Sequence, residues 1–134
     1  MANQSRSRTR VVGPTGVRGL LEFGPAAPGP LGEVLGLIEE SKVVLRYLPW
    51  GSLEPGRHSL EVHYEGTDYV LVSRGARRPT PHLETSDGTP LAAFSGRRGK
   101  AAPDLSEQEA VLVALIAGSG IADITRPQTW AVRH

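Results

Sequence analysis

One cluster of residue types in this chain could bind a metal ion. Glu61, His63 and Glu65 alternate with other residues, and in a β-strand such alternation places side chains on one face. Two carboxylates and one imidazole suit a divalent cation, but same-face residues of one strand are about 7 Å apart, so a single strand cannot surround an ion. They are weak metal candidates; we predict a solvated polar face and expect neither a metal nor a cofactor.

Two glycine-containing segments have the composition of catalytic loops without their pattern. Residues 13–19 read GPTGVRG and lack the Gly-Lys-Ser/Thr ending of a phosphate loop. Residues 118–120 read GSG, which fits a helix end better than a nucleophile elbow. The chain has no cysteine, which excludes thiolate catalysis and zinc ribbons. We therefore predict that the protein is not an enzyme, with a hidden hydrolase or metal-dependent enzyme as the third hypothesis.

Two segments of the chain, residues 1–20 and 74–100, are basic, although the whole chain carries only +1. Arginines at alternate positions of an extended arm would be about 7 Å apart, close to the spacing of successive phosphates. No aromatic residue lies between the arginines, so a base-stacking platform is not indicated. The candidates for phosphate or nucleic-acid contact are Arg6, Arg8, Arg10, Arg77, Arg78, Arg97, Arg98 and Lys100.

Apolar and aromatic residues near turns are candidates for a protein interface. Leu20, Leu21 and Phe23 form a short apolar island in a Gly/Pro-rich region, and could dock onto the domain or onto a partner. Trp50 and Trp130 lie beside turns and could anchor an interface. The alternative for each tryptophan is a core lid with its ring nitrogen at the surface.

The elements that would position these residues follow from periodicity and turn signals. The i, i+3, i+4, i+7 spacing of apolar residues predicts a helix over about 30–40. Residues 42–48 predict a strand, and residues 59–64 and 69–74 predict a hairpin with Gly66 and Thr67 as its turn, so that Tyr64 lies opposite Tyr69. A weaker hairpin follows around residues 86–88.

A second helix is predicted over about 106–117. Ser106 and Glu109 match a capping box, the following residues are apolar all round, and Gly118 is placed to end the helix. The helix is therefore expected to be buried. Residues 96–100, GRRGK, are expected to form an exposed basic loop before it.

Together these features predict an α+β domain with a mostly antiparallel sheet of about four to five short strands and two helices. Residues 1–29 are expected to form a flexible basic arm and Gly/Pro-rich tether, and residues 30–134 a single domain. The leading hypothesis is a non-enzymatic interaction module, a small subunit or accessory protein that reaches a protein partner or a second copy through its arm. The alternative is a small nucleic-acid-associated protein. Because no apolar run could span a bilayer and no secretory signal is recognisable, we expect a cytoplasmic protein without a membrane partner.

Overall fold

A computed structural model describes residues 7–23, 33–47, 59–75 and 79–125. These residues form one nine-stranded antiparallel sheet in which every strand pairs with its neighbours in sequence, together with one α-helix. The sheet curves into a half-barrel. The strands are β1 (Ser7–Gly13), β2 (Gly16–Phe23), β3 (Glu33–Ile38), β4 (Ser41–Tyr47), β5 (Leu60–Tyr64), β6 (Thr67–Arg74), β7 (Thr80–Thr85), β8 (Pro90–Ser95) and β9 (Arg98–Ala101). The helix α1 spans Glu107–Ser119 and is followed by a 3-10 helix, Ile121–Thr125.

Alternating side chains divide the sheet into an inner and an outer face. In β5 and β6 the inner positions are buried while the outer positions are only partly buried or exposed. Inner side chains of the strands pack against α1 to form the core. The largest fully buried side chains are Phe94, Leu21, Ile38, Leu45, Leu60, Leu71, Leu83, Leu112, Leu115, Ile116, Ile121 and Val34.

The helix lies in the open side of the half-barrel, where it contacts both edge strands β1 and β9. Ser106 caps its N-terminus: its hydroxyl accepts from the Glu109 amide (3.1 Å), and the Glu109 carboxylate accepts from the Ser106 amide (3.2 Å). Gly120, with φ of 73°, ends the helix in the left-handed conformation. The predicted helix, its capping box and its burial are thus present, but Gly120 rather than Gly118 terminates it.

The fold class predicted from the sequence is wrong. The described residues contain nine strands and one α-helix, not four to five strands and two helices. The segment predicted as a helix over 30–40 contains β3 and the turn at Glu39 and Glu40. The described part of the predicted arm and tether forms β1 and β2, while the boundary predicted between residues 29 and 30 lies outside the described residues.

The apolar spacing in β3 fits a strand as well as a helix. Val34, Gly36 and Ile38 face inward, while Leu35 and Leu37 face outward. Gly36 allows a close approach to β2, because a Cβ there would lie 2.6 Å from the carbonyl oxygen of Leu20. Pairing with β2 on one side and β4 on the other satisfies the backbone of this segment, so tertiary pairing outweighs the helical period.

The β5–β6 hairpin is present, but its register differs from the predicted one by two residues. Glu65 and Gly66 form the turn, both with positive φ (52° and 76°), and Tyr64 pairs with Thr67 instead of Tyr69. Positive φ at both central residues is typical of the tight turns that match strand twist. Because the shift is an even number of residues, each side chain stays on its predicted face.

No helix in the described parts of the chain is both long and apolar enough to cross a bilayer.

Candidate interaction surfaces

An apolar patch covers the outer face of β2, β3 and β4. Leu35 and Leu37 of β3 retain 51% and 47% of their exposure. In the cross-strand register Leu37 pairs with Leu20, and Leu35 pairs with Val44. We call these four residues the β2–β4 patch. Leucine on the outer face of a central strand leaves apolar surface in water, which is typical of an interaction site.

Charged residues of opposite sign flank the patch on its two sides. On β2, Glu22 pairs in register with Leu35 and accepts a hydrogen bond from Arg8 of β1 (2.8 Å). On β4, Lys42 is next to Leu37, and Arg46 follows Val44 on the same face. On β2 the patch therefore borders one carboxylate, which is ion-paired with Arg8, and on β4 it borders two cations.

The predicted interface residues separate into different environments. Leu20 lies on the outer face and belongs to the patch. Leu21 points inward and is 1% exposed, so it belongs to the core. Phe23 is the last residue of β2. Trp50 and Trp130 lie outside the described residues.

The predicted phosphate-contact residues are distributed over both edges of the sheet. Arg8 and Arg10 lie on the outer face of β1, and Arg98 and Lys100 lie on the outer face of β9. Arg97 lies in the β8–β9 turn, where its guanidinium donates to the Gly118 carbonyl at the end of α1 (3.1 Å). The predicted basic loop is thus a β-hairpin. Arg6, Arg77 and Arg78 lie outside the described residues.

Both edges approach the same end of the helix. A Cβ at Gly118 would lie 3.0 Å from Cγ2 of Thr9 in β1, and the carbonyl of Gly118 binds Arg97. Thr9 and Arg97 therefore flank one helical end, while Arg8 points to the outer face and pairs with Glu22. Because α1 carries no basic residue in its last turn, Arg97 supplies the cation that the helix dipole favours there.

The predicted metal candidates do not share one strand, because Glu61 and His63 lie on β5 and Glu65 lies in the turn that follows it, and all three make other contacts. Nδ1 of His63 lies 2.5 Å from the carboxylate of Asp68, and Nε2 lies 3.5 Å from that of Glu61. The Glu65 carboxylate accepts from the Ser41 hydroxyl (2.5 Å). Within residues 7–23, 33–47, 59–75 and 79–125, no three His, Asp or Glu residues form a group that could hold a metal ion.

Three charge clusters support the fold and were not recognised in the sequence. Arg18 joins the β3–β4 turn to the start of α1, with Nη2 at 2.6 Å from Glu39 and 3.3 Å from Glu107. Hydrogen bonding to Glu39 raises the Arg18 pKa above its ordinary value. Arg74 donates twice to Glu84 (2.9 and 2.8 Å), which likewise raises the pKa of Arg74. These pairs join residues 10 to 89 positions apart, which local sequence patterns do not reveal.

The third cluster connects the helix cap to the core. The hydroxyl of Tyr69, an inward residue of β6, donates to Glu109 (3.1 Å). Burial, and then the Glu109 charge, raises the Tyr69 pKa to about 12.

In the β7–β8 turn, hydrogen bonds from Thr85 and Thr89 lower the Asp87 pKa.

Comparisons of the chain with protein-family models, with curated proteins and with solved structures found no match.

Proposed function

We propose that the protein is a non-enzymatic interaction module that binds a second copy of itself through the β2–β4 patch. The observation that carries the proposal is the pair of half-exposed leucines, Leu35 and Leu37, on the outer face of β3. Removing their side chains from water would stabilise a complex, since burial contributes about 25 cal/mol per Å² of apolar area.

Charge supports a second copy as the occupant. In a dimer whose two-fold axis runs along β3, β2 of one copy lies over β4 of the other. Glu22 of one copy then faces the region between Lys42 and Arg46 of the other, because these residues flank Val44, which occupies the equivalent position on β4. Each copy supplies both halves of this complementarity, as a two-fold interface requires. Opposite charges at the rim would fix the orientation, while the leucines contribute most of the affinity.

The curvature of the sheet limits the size of this interface. The outer face of a half-barrel is convex, so two copies would touch over about three strands. Such an area is at the low end for specific complexes, and micromolar association is expected. The self-associating module would then be a small subunit of an assembly, with the β1–β2 region contributing Leu20 and Glu22 to the contact.

Sedimentation velocity over a range of micromolar concentrations tests the proposal. We expect the wild-type mass to rise from that of the 14.3 kDa chain to twice that value. Leu37→Lys should remain monomeric, because it places a charge at the centre of the apolar contact. Val12→Lys is the matched control, since Val12 is 69% exposed but lies on β1, outside the patch.

A wild-type protein that stays monomeric at the highest concentration contradicts the second copy as the occupant, and points to a different partner. A Leu37→Lys variant that dimerises like the wild type contradicts the patch as the site. Circular dichroism melts of both variants establish that they are folded.

A second candidate, contact with nucleic-acid phosphates, is supported by Arg98 and Lys100, which share the outer face of β9. No ion pair with another described residue engages these two side chains. Binding to single-stranded or duplex oligonucleotides should then fall steeply with salt and weaken in Arg98→Ala. Absence of a gel shift at low salt would remove this candidate.

A further inference from the structure

The outer face of β7, β8 and β9 forms a groove at the side of the sheet away from the β2–β4 patch. Its volume is about 380 Å³, within the range of about 300–1,000 Å³ typical of small-molecule sites. Apolar side chains form most of its walls, among them Leu91, Ala101 and Pro103. The titratable residues that line it are His82 and Lys100.

The cross-strand register explains the shape of the groove. His82 of β7 pairs with Ala93 of β8, and Ala93 pairs with Lys100 of β9. These three outward side chains form one row across the sheet, with the methyl group of Ala93 between two long polar side chains. Since neighbouring strands are about 4.8 Å apart, the backbones of His82 and Lys100 are about 10 Å apart. The small central residue leaves space between two potential hydrogen-bond donors.

The ring of His82 is held in a defined orientation. Its Nδ1–H donates to the carbonyl oxygen of Thr80 at 2.8 Å. Because a carbonyl can only accept, Nδ1 carries a proton, and Nε2 is the atom left for another partner. No described residue bonds to Nε2.

The charges around the groove favour an anion. Lys100 forms no ion pair with a described residue. Glu84, the acidic residue of β7, is engaged by two hydrogen bonds from Arg74. No aspartate or glutamate lines the groove. A negatively charged group above Ala93 would therefore meet one ammonium and one imidazole without an opposing carboxylate.

We propose that this groove binds a small amphipathic carboxylate. The carboxylate lies over Ala93, where it accepts from the ammonium of Lys100 and, when both ring nitrogens carry a proton, from Nε2 of His82. The apolar body lies against Leu91, Ala101 and Pro103. The apolar walls select against a fully polar anion such as inorganic phosphate, and the cation selects against a neutral amphiphile. This site is separate from the dimer surface, so it does not depend on the function proposed above.

Fluorescence of 8-anilinonaphthalene-1-sulfonate, with octanoate as the competitor, tests the proposal on the full chain. We expect the dye to bind and octanoate to displace it at lower concentration than 1-octanol, its neutral analogue. Lys100→Gln should weaken octanoate about tenfold, because it removes a charge-assisted hydrogen bond. Ala93→Leu should abolish displaceable binding by filling the space between the two polar side chains. Arg10→Gln, which removes an outer-face charge from β1, is the control.

The same measurements can overturn the proposal. Equal displacement by octanoate and 1-octanol would show that the carboxylate is not recognised. An unchanged octanoate affinity in Lys100→Gln, or an equal loss in Arg10→Gln, would place the dye elsewhere. Absence of displaceable dye binding by a wild-type protein whose melting curve shows it to be folded would also contradict the proposal.

Discussion

Replacing Tyr69 by phenylalanine tests the link between the helix cap and the core. The wild-type hydroxyl is in a side chain only 4% exposed and donates to Glu109, which also completes the capping box of α1. A hydrogen bond to a charged group contributes about 1.5–3 kcal/mol when both partners are buried. Because Glu109 is partly exposed, its carboxylate regains water in the variant, and we expect a loss of about 1–2 kcal/mol at pH 7.

The pH dependence of this loss is more diagnostic than its size. The pKa of Tyr69 is about 12 in the folded protein and about 10 in the unfolded chain. The unfolded state therefore loses its proton first, and wild-type stability falls as the pH rises from about 10 towards 12. At pH 11 the two-unit difference corresponds to a loss of about 1.4 kcal/mol, which Tyr69→Phe does not experience.

Urea unfolding of both proteins at pH 7, 9 and 11 measures this effect. The stability difference between wild type and Tyr69→Phe should be the same at pH 7 and 9, and should shrink by about 1.4 kcal/mol at pH 11. Other ionising groups act on both proteins and cancel in the difference. A difference that stays constant to pH 11 would refute the proposed environment of the Tyr69 hydroxyl.

Two further substitutions test how the edges and the sheet are held. Arg97→Ala should lower the free energy of unfolding in urea by about 1 kcal/mol, because the end of α1 loses a hydrogen bond and a favourable charge. The neighbouring Arg98→Ala should change it by less than about 0.5 kcal/mol. Equal effects of the two substitutions would contradict the proposed contact between Arg97 and the helix end. Gly36→Ala should lower the free energy of unfolding by about 2 kcal/mol or more, since the new methyl group would lie 2.6 Å from a carbonyl oxygen of β2. A thermal melt that matches the wild type would show that β2 and β3 can move apart without loss of stability.

The sequence predicted elements well where a local signal and the tertiary structure agree. The capping box at Ser106 and Glu109 defines the start of α1 because it requires only neighbouring residues. A helix that is apolar on all its faces is stable only when other elements cover it, and the sheet covers α1 on several sides. The faces of β5 and β6 were correct because alternation survives a register shift of two residues.

The sequence misled where the decisive contacts are distant. Leu35 and Leu37 belong to a segment whose spacing also fits a helix, so their common outward face was not visible until β3 paired with β2 and β4. The same error concealed the β2–β4 patch, apart from Leu20. The strand β1 contains alternating arginines that are typical of a solvated arm, yet its inward side chains, Thr9 and Val11, face α1 and the core. Charge on an outer face does not prevent a strand at the sheet edge, where cations discourage pairing with other chains.

The basic residues show why type and spacing alone did not define a site. Arg8 and Arg97 were grouped as phosphate ligands, but each already binds a partner within the chain, Glu22 and the end of α1 respectively. His82 and Lys100 are distant in sequence, and only the pairing of β7, β8 and β9 brings them into one row. Their proximity could be recognised only once the registers of the β7–β8 and β8–β9 hairpins were known.

The most direct test of the proposed dimer is a mixing experiment with two charge-reversed variants. Glu22→Lys and Lys42→Glu each place like charges across the two-fold contact, so each variant alone should dimerise about tenfold or more weakly than the wild type. In an equimolar mixture the lysine introduced on β2 of one copy meets the glutamate introduced on β4 of the other. At the second contact the native Lys42 of the first copy meets the native Glu22 of the other, so both contacts join opposite charges. We therefore predict that sedimentation velocity shows each variant mainly as a monomer and the mixture as a dimer. A mixture that remains monomeric under conditions in which the wild type dimerises would contradict the proposed arrangement.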